Sequence, residues 1–236
     1  MLDRKAKILH SRHKDMISPK FRHNKSSIGL SYKLEFRLKM ILIGLVAGLI
    51  SSIGVTALIV MVEKVTSVPA GAFYLVLMLT LTNTPLYSIY MIAAGLGLHF
   101  AAGSLIGIVM VLPLLLRNRN KRNPSRILDK YAPVYGLCFG FALWLILFLP
   151  ITYLMIIPAL NGIKDSPTIT QQDPTGRVAF LVIGDVLSIQ NKIVIGALAF
   201  NMFYGLLAAI IIDSYYRRYL ANADRDSTQN VRIPNP

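Results

Sequence analysis

Acidic residues are scarce in this chain. Its 236 residues include 11 Asp and Glu against 25 Lys and Arg, and charged residues make up only 15% of the whole. A soluble domain carries about 25%, so the deficit excludes an ordinary soluble enzyme, and a 54% hydrophobic content excludes disorder. There is 1 cysteine, Cys138, set in an apolar run, which excludes an intramolecular disulfide. Gly-rich phosphate loops, zinc-ligand spacings and carboxylate pairs inside apolar segments are also missing. Those are the parts that phosphate binding, metal binding and acid–base catalysis require. No enzyme activity, no cofactor and no metal is therefore expected. No cleavable leader is expected either, because the first apolar stretch begins near residue 40 and is too long for a signal-peptide core.

What the sequence has is long apolar runs with basic residues at their ends. Residues 1–39 hold eleven Lys/Arg, residues 117–131 six and residues 217–236 four, which is 21 of the 25. A pI near 10.0 raises nucleic acid as a partner. None of the three basic segments is long enough to build a core of its own, so nucleic acid is not expected. Basic residues beside apolar runs mark the cytoplasmic side of a membrane protein.

Four runs reach the roughly 20 residues that a helix needs to cross the hydrocarbon layer. They are residues 40–62, 87–116, 132–160 and 193–216. Two shorter stretches, 70–81 and 178–189, suit re-entrant or interfacial segments. Four spans place all three basic segments on one side, whereas six would put 117–131 opposite the N-terminus. The fold class expected is all-α. A basic cytoplasmic segment (1–39) precedes a four-span membrane domain (40–216), and a basic cytoplasmic tail (217–236) follows, in the cell membrane. Pro113, Pro150 and Pro158 predict kinks or helix ends.

The two halves repeat one order: span, short apolar segment, span. Gly44 and Gly48 answer Gly136 and Gly140. Gly97, His99, Gly103 and Gly107 answer Ala199, Asn201, Gly205 and Ala209 at identical offsets, and Pro69-Ala70-Gly71 answers Pro174-Thr175-Gly176. Read as a duplication, this is a parallel repeat about an axis along the membrane normal, with His99 and Asn201 as symmetry mates. The alternative is chance recurrence of glycine, which is frequent in membrane helices. Small residues four apart let helix backbones approach. The rows Gly44/Gly48, Gly95/Gly103/Gly107, Gly136/Gly140 and Gly205 are the expected packing faces.

His99 is the one ionisable group well inside a span, and such groups are costly unless they serve a function. His99 and Asn201 are therefore the candidate central polar site. Asn83 and Thr84, in the loop before the second span, and Asp185, in the second short segment, are candidates for an outer vestibule. Asp185 can also pair with Lys192, and Asp213 is placed for an i,i+4 ion pair with Arg217. The basic segments suit anionic lipid headgroups, each basic residue contributing about 1 kcal/mol near the surface.

Residues 95–107, Gly-Leu-Gly-Leu-His-Phe-Ala-Ala-Gly-Ser-Leu-Ile-Gly, preceded by Pro69-Ala70-Gly71-Ala72-Phe73-Tyr74, resemble a pattern in prokaryotic multi-pass membrane proteins of the YagU-like type. The resemblance covers roughly 40 residues and implies an inner-membrane protein, with no activity or site residue attached. Two functional readings follow from the residues. One is a polar permeation or binding site for a small solute or ion, assisted by homo-oligomerisation through the glycine faces. The other is a structural or assembly subunit among other membrane chains.

Overall fold

The computed structural model describes residues 20–82, 88–117, 125–164 and 174–231, and side chains within 34–82, 88–116, 131–164 and 181–222 except at Leu114 and Leu220. Every regular element among them is helical. We number them α1 (Lys20–Val65), α2 (Ala72–Thr82), α3 (Ile89–Arg117), α4 (Ser125–Leu143), α5 (Leu149–Ile151), α6 (Ile157–Lys164), α7 (Pro174–Ser188) and α8 (Gln190–Val231). Two π-helical turns, Trp144–Phe148 and Thr152–Ile156, join α4 to α5 and α5 to α6.

Four helices are long and apolar enough to cross a membrane: Leu34–Val65, Ile89–Pro113, Tyr131–Lys164 and Gln190–Tyr219. These coincide with the four expected runs; the first, third and fourth reach further at both ends, and the second lies inside its run. The chain is a multi-pass α-helical membrane protein. It divides into two units between Ile41 and Leu42. In the first, Lys20 opens α1, so part of the basic N-terminal segment is helical, and Lys39 pairs with Glu35 one turn back at 2.6 Å. The second unit holds everything described below.

In the third span Pro150 and Pro158 do not end the helix, which runs on to Lys164. A proline ring inside a helix strikes the carbonyl four residues back, here Ile146 and Leu154. Each of these residues is the centre of a π turn. The widened turns move those carbonyls aside and let the helix continue through both prolines.

The two short apolar segments are helices as well, over 72–82 and 174–188 rather than 70–81 and 178–189. They find their apolar partner in each other and in the end of the third span. Leu75 and Leu79 of α2, Leu160 and Ile163 of α6, and Val182 and Ile183 of α7 form one buried cluster. The entry to α2 is fixed by two features. Gly71 adopts φ +83°, a left-handed conformation that glycine accepts without steric cost. Its neighbour Ile92 leaves no room either, since a Cβ there would stand 2.7 Å from Ile92 Cγ2.

Candidate functional site

Two close helix crossings set the geometry. α1 meets α3 where a Cβ on Gly44 would stand 2.7 Å from the Gly107 carbonyl oxygen and one on Gly48 would strike the Gly103 carbonyl. α4 meets α8 in the same manner. A Cβ on Gly136 would strike the Gly205 carbonyl, and one on Gly140 would lie 2.7 Å from the Cα of Met202 and strike the Asn201 carbonyl. At both crossings, backbone touches backbone because no side chain intervenes. Gly95 does the same for α2, facing the Tyr74 carbonyl.

These contacts fix a register that differs from the sequence offsets. Gly44 faces Gly107 as Gly136 faces Gly205, and Gly48 faces Gly103 as Gly140 faces Asn201. By crossing geometry Asn201 therefore corresponds to Gly103, one helical turn from the His99 position assigned by the offsets. His99 and Asn201 are not equivalent places on the two crossings. The offsets matched glycines to alanines, which pack almost as closely, so a shift of four left the small-residue pattern nearly intact.

Tyrosine hydroxyls and the tryptophan ring nitrogen tie the helices together. Tyr204 of α8 donates to the Gly103 carbonyl of α3 at 2.5 Å, and Tyr135 of α4 donates to the Met110 carbonyl at 2.9 Å. Trp144 Nε1 donates to the Val194 carbonyl at 2.9 Å, within the first π turn. Tyr74 of α2 donates to Thr56 of α1 at 2.9 Å.

Between these helices lies a chamber of about 440 Å³ lined by all four spans and by α2 and α7. Its walls are largely apolar, with Val55, Ile59, Ile106, Phe148, Ile156 and Phe200 among them. His99 and Asn201 both line it. They share the chamber with Ser52 on α1, Thr152 at the second π turn and Tyr204 on α8. Glu63, Gln190 and Lys192 line its other end, beside the short helices.

The polar groups differ in what they hold. Ser52 Oγ donates to the Gly48 carbonyl at 2.9 Å. Asn201 Nδ2 donates to the Ala197 carbonyl at 2.8 Å, and no described residue donates to its Oδ1. The His99 ring lies 5.7 Å from Tyr74 and 5.9 Å from Phe100, centroid to centroid, and its Nε2 is enclosed without a hydrogen bond. Thr152 Oγ1 is likewise enclosed and unpartnered. Ser51, Ser52, Thr80 and Ser104 all donate to the carbonyl one turn back, which Thr152 does not do.

Glu63 has a different role. It is buried at 6% exposure, and its two oxygens accept from the backbone N–H groups of Gly71 (2.9 Å) and Phe73 (3.0 Å). Both belong to the start of α2, whose first amides have no partner within the helix. The sequence reads Glu63 only as the end of a span.

Asp185 is exposed, stands apart from the chamber and forms no ion pair with Lys192. Asn83 and Thr84 lie outside the described residues. The Asp213–Arg217 pair forms, Arg217 Nε donating to Asp213 Oδ2 at 2.8 Å. No group of three or more metal-ligating side chains occurs among the described residues.

Thr152 and Tyr204 were not singled out by sequence. A hydroxyl lying between two prolines within one apolar run was the available signal for Thr152. Tyr204 gave none, because a tyrosine mid-span reads as bulk until its partner carbonyl is known. Comparison with protein-family models, with curated proteins and with solved structures finds no match.

Proposed function

We propose that this membrane protein holds a binding site for a small molecule in the chamber between its four spans, with His99 and Asn201 as its polar contacts. The observation that carries this reading is that the two residues, on different spans and at non-equivalent places, line one and the same chamber. Membrane helices place polar side chains inward at a cost, and a ligand or pathway offsets that cost. In this reading the glycine rows hold the spans close enough to shape the chamber walls. The basic segments 1–39, 117–131 and 217–236 face the cytoplasm and anionic lipid, which places the short helices at the opposite face.

Accessibility tests it. Gly196 lines the chamber, and a Cβ there meets nothing within 4 Å. Its neighbour Ile195 is 70% exposed on the surface of the bundle. In a Cys138→Ser background, a small water-soluble thiol reagent should modify Gly196→Cys at least tenfold faster than Ile195→Cys. Equal rates would remove the chamber as a solute site.

A further inference from the structure

Depth along the helices places the polar residues at one level. His99 is ten residues into α3, Asn201 eleven into α8, Thr152 twelve before the end of α6 and Ser52 thirteen before the end of α1. At 1.5 Å per residue all four lie about 15–20 Å from the end of the bundle that carries the short helices. The hydrocarbon core is about 30 Å thick, so this level is near its midplane. Each span supplies a polar side chain to it, and α8 adds the Tyr204 hydroxyl, which is bonded to the Gly103 carbonyl beside Ser52. No charged side chain lines the chamber at that depth; Glu63 and Lys192 lie at the other end, and Glu63 is committed to the α2 amides.

Three groups at this level lack a hydrogen-bond partner: His99 Nε2, Thr152 Oγ1 and Asn201 Oδ1. Thr152 is 6% exposed, and leaving a hydrogen bond unmade at such a site carries the full desolvation cost of the group. The set contains a donor in the Thr152 hydroxyl and an acceptor in the Asn201 oxygen. A hydroxyl group satisfies both at once, because it donates and accepts. An ion finds neither carboxylate nor cation there, and a sugar-like solute would leave most of its hydroxyls against apolar wall.

We infer that the chamber binds an uncharged lipophile bearing a single hydroxyl group. The hydroxyl sits at the midplane, donating to Asn201 Oδ1 and accepting from Thr152 after rotation of that side chain, with His99 beside it. The apolar body lies along the shaft formed by Ile59, Ile156 and Ile193 toward the short-helix end. This inference rests on the binding-site reading above and names the class of ligand.

The probe is hexadecan-1-ol carrying a diazirine near its chain end, added to the full-length protein in phosphatidylcholine vesicles. Photolysis should attach it to Ile59, Ile156 or Ile193, as mapped by mass spectrometry of peptides. Unlabelled hexadecanol should compete at least tenfold better than hexadecane. Thr152→Val, which keeps the shape and removes the hydroxyl, should cut labelling about tenfold, and Thr152→Ser should restore it. Matching melting temperatures of the variants separate binding from folding. Labelling confined to surface positions such as Leu154 and Ile195 would overturn the inference, as would equal competition by hexadecane. Stronger competition by hexadecanoate would overturn it too, since that result puts the polar end at Lys192. If Gly196→Cys remains reagent-accessible while any of these failures occurs, only the ligand class falls; if Gly196→Cys is closed, the binding-site reading falls with it.

Discussion

The two helix crossings share their approach and differ in what they carry one turn further along. At α1–α3, Gly103 leaves a gap into which Ser52 Oγ reaches, and the Tyr204 hydroxyl, bonded to the Gly103 carbonyl, stands 3.0 Å from where a Cβ on Gly48 would lie. At α4–α8 the corresponding place holds Asn201, whose backbone still touches Gly140 while its side chain lines the chamber. Close approach therefore constrains the face of a helix turned to its partner and leaves the flanking face open to chemistry. The first crossing joins helices whose serines back-bond to their own carbonyls. The second uses a helix widened twice by π turns, and Thr152 is left without such a bond.

The largest effect follows from filling the first crossing. A Cβ on Gly107 would strike the Gly44 carbonyl and stand 2.8 Å from the Cα of Gly48, so only backbone movement makes room. Gly107→Leu should destabilise by about 3 kcal/mol or more, the upper range for overpacking, measured as loss of thermal stability in detergent. At Gly97, ten residues earlier on the same helix, an added Cβ meets nothing within 4 Å, and Gly97→Leu should leave stability unchanged. Equal tolerance of the two would show that the crossing does not hold the pair together.

The four spans and their order were legible because hydropathy is a local property. His99 and Asn201 stood out for the same reason, as polar side chains in apolar surroundings. The register of the two helix crossings was not legible. It depends on which glycine faces which carbonyl across a crossing, and rows spaced four apart look the same after a shift of four. The packing of α2 on α7 was hidden as well, since two short apolar segments far apart in sequence carry no sign that they meet. Glu63 illustrates the remaining gap: a carboxylate at a span end reads as an end marker until a helix N-terminus is seen to lie against it.

A second, smaller effect sharpens the contrast between the halves. Nineteen residues after Gly44 stands Glu63, and nineteen after Gly136 stands Met155, which is 51% exposed. Among the described residues, a carboxylate holds the start of a short helix only in the first half. In Glu63→Gln the amide nitrogen cannot accept, so one backbone N–H loses its partner, at a cost of about 1–3 kcal/mol. Amide hydrogen exchange at Gly71 and Phe73 should accelerate in this variant and nowhere in the second half. Met155→Leu should cost less than about 1.5 kcal/mol, being nearly volume-conserving. Unchanged exchange in Glu63→Gln would mean that the Gly71 turn and the α2 core position the helix without the clamp.

The smallest difference lies about two turns beyond the crossings. Eight residues after Gly107 α3 has Leu115, and eight after Gly205 α8 has Asp213, paired with Arg217. The two partners differ in exposure, the Asp213 side chain at 12% and that of Arg217 at 51%. Asp213 Oδ1 is enclosed and has no partner, so the carboxylate depends on the guanidinium at Oδ2. Removing Arg217 leaves an enclosed negative charge uncompensated, whereas removing Asp213 leaves a cation that water can reach. Arg217→Ala should therefore cost about 1 kcal/mol or more, and Asp213→Ala only a few tenths of that. Asp213→Leu, which copies the first half, should be neutral or slightly stabilising, because an apolar side chain removes the desolvation cost along with the pair. Thermal unfolding of the three variants in one detergent decides the order. If Asp213→Ala proves as costly as Arg217→Ala, the carboxylate contributes as much as the guanidinium, and the asymmetry of burial is not what sets the energetics of this end of α8.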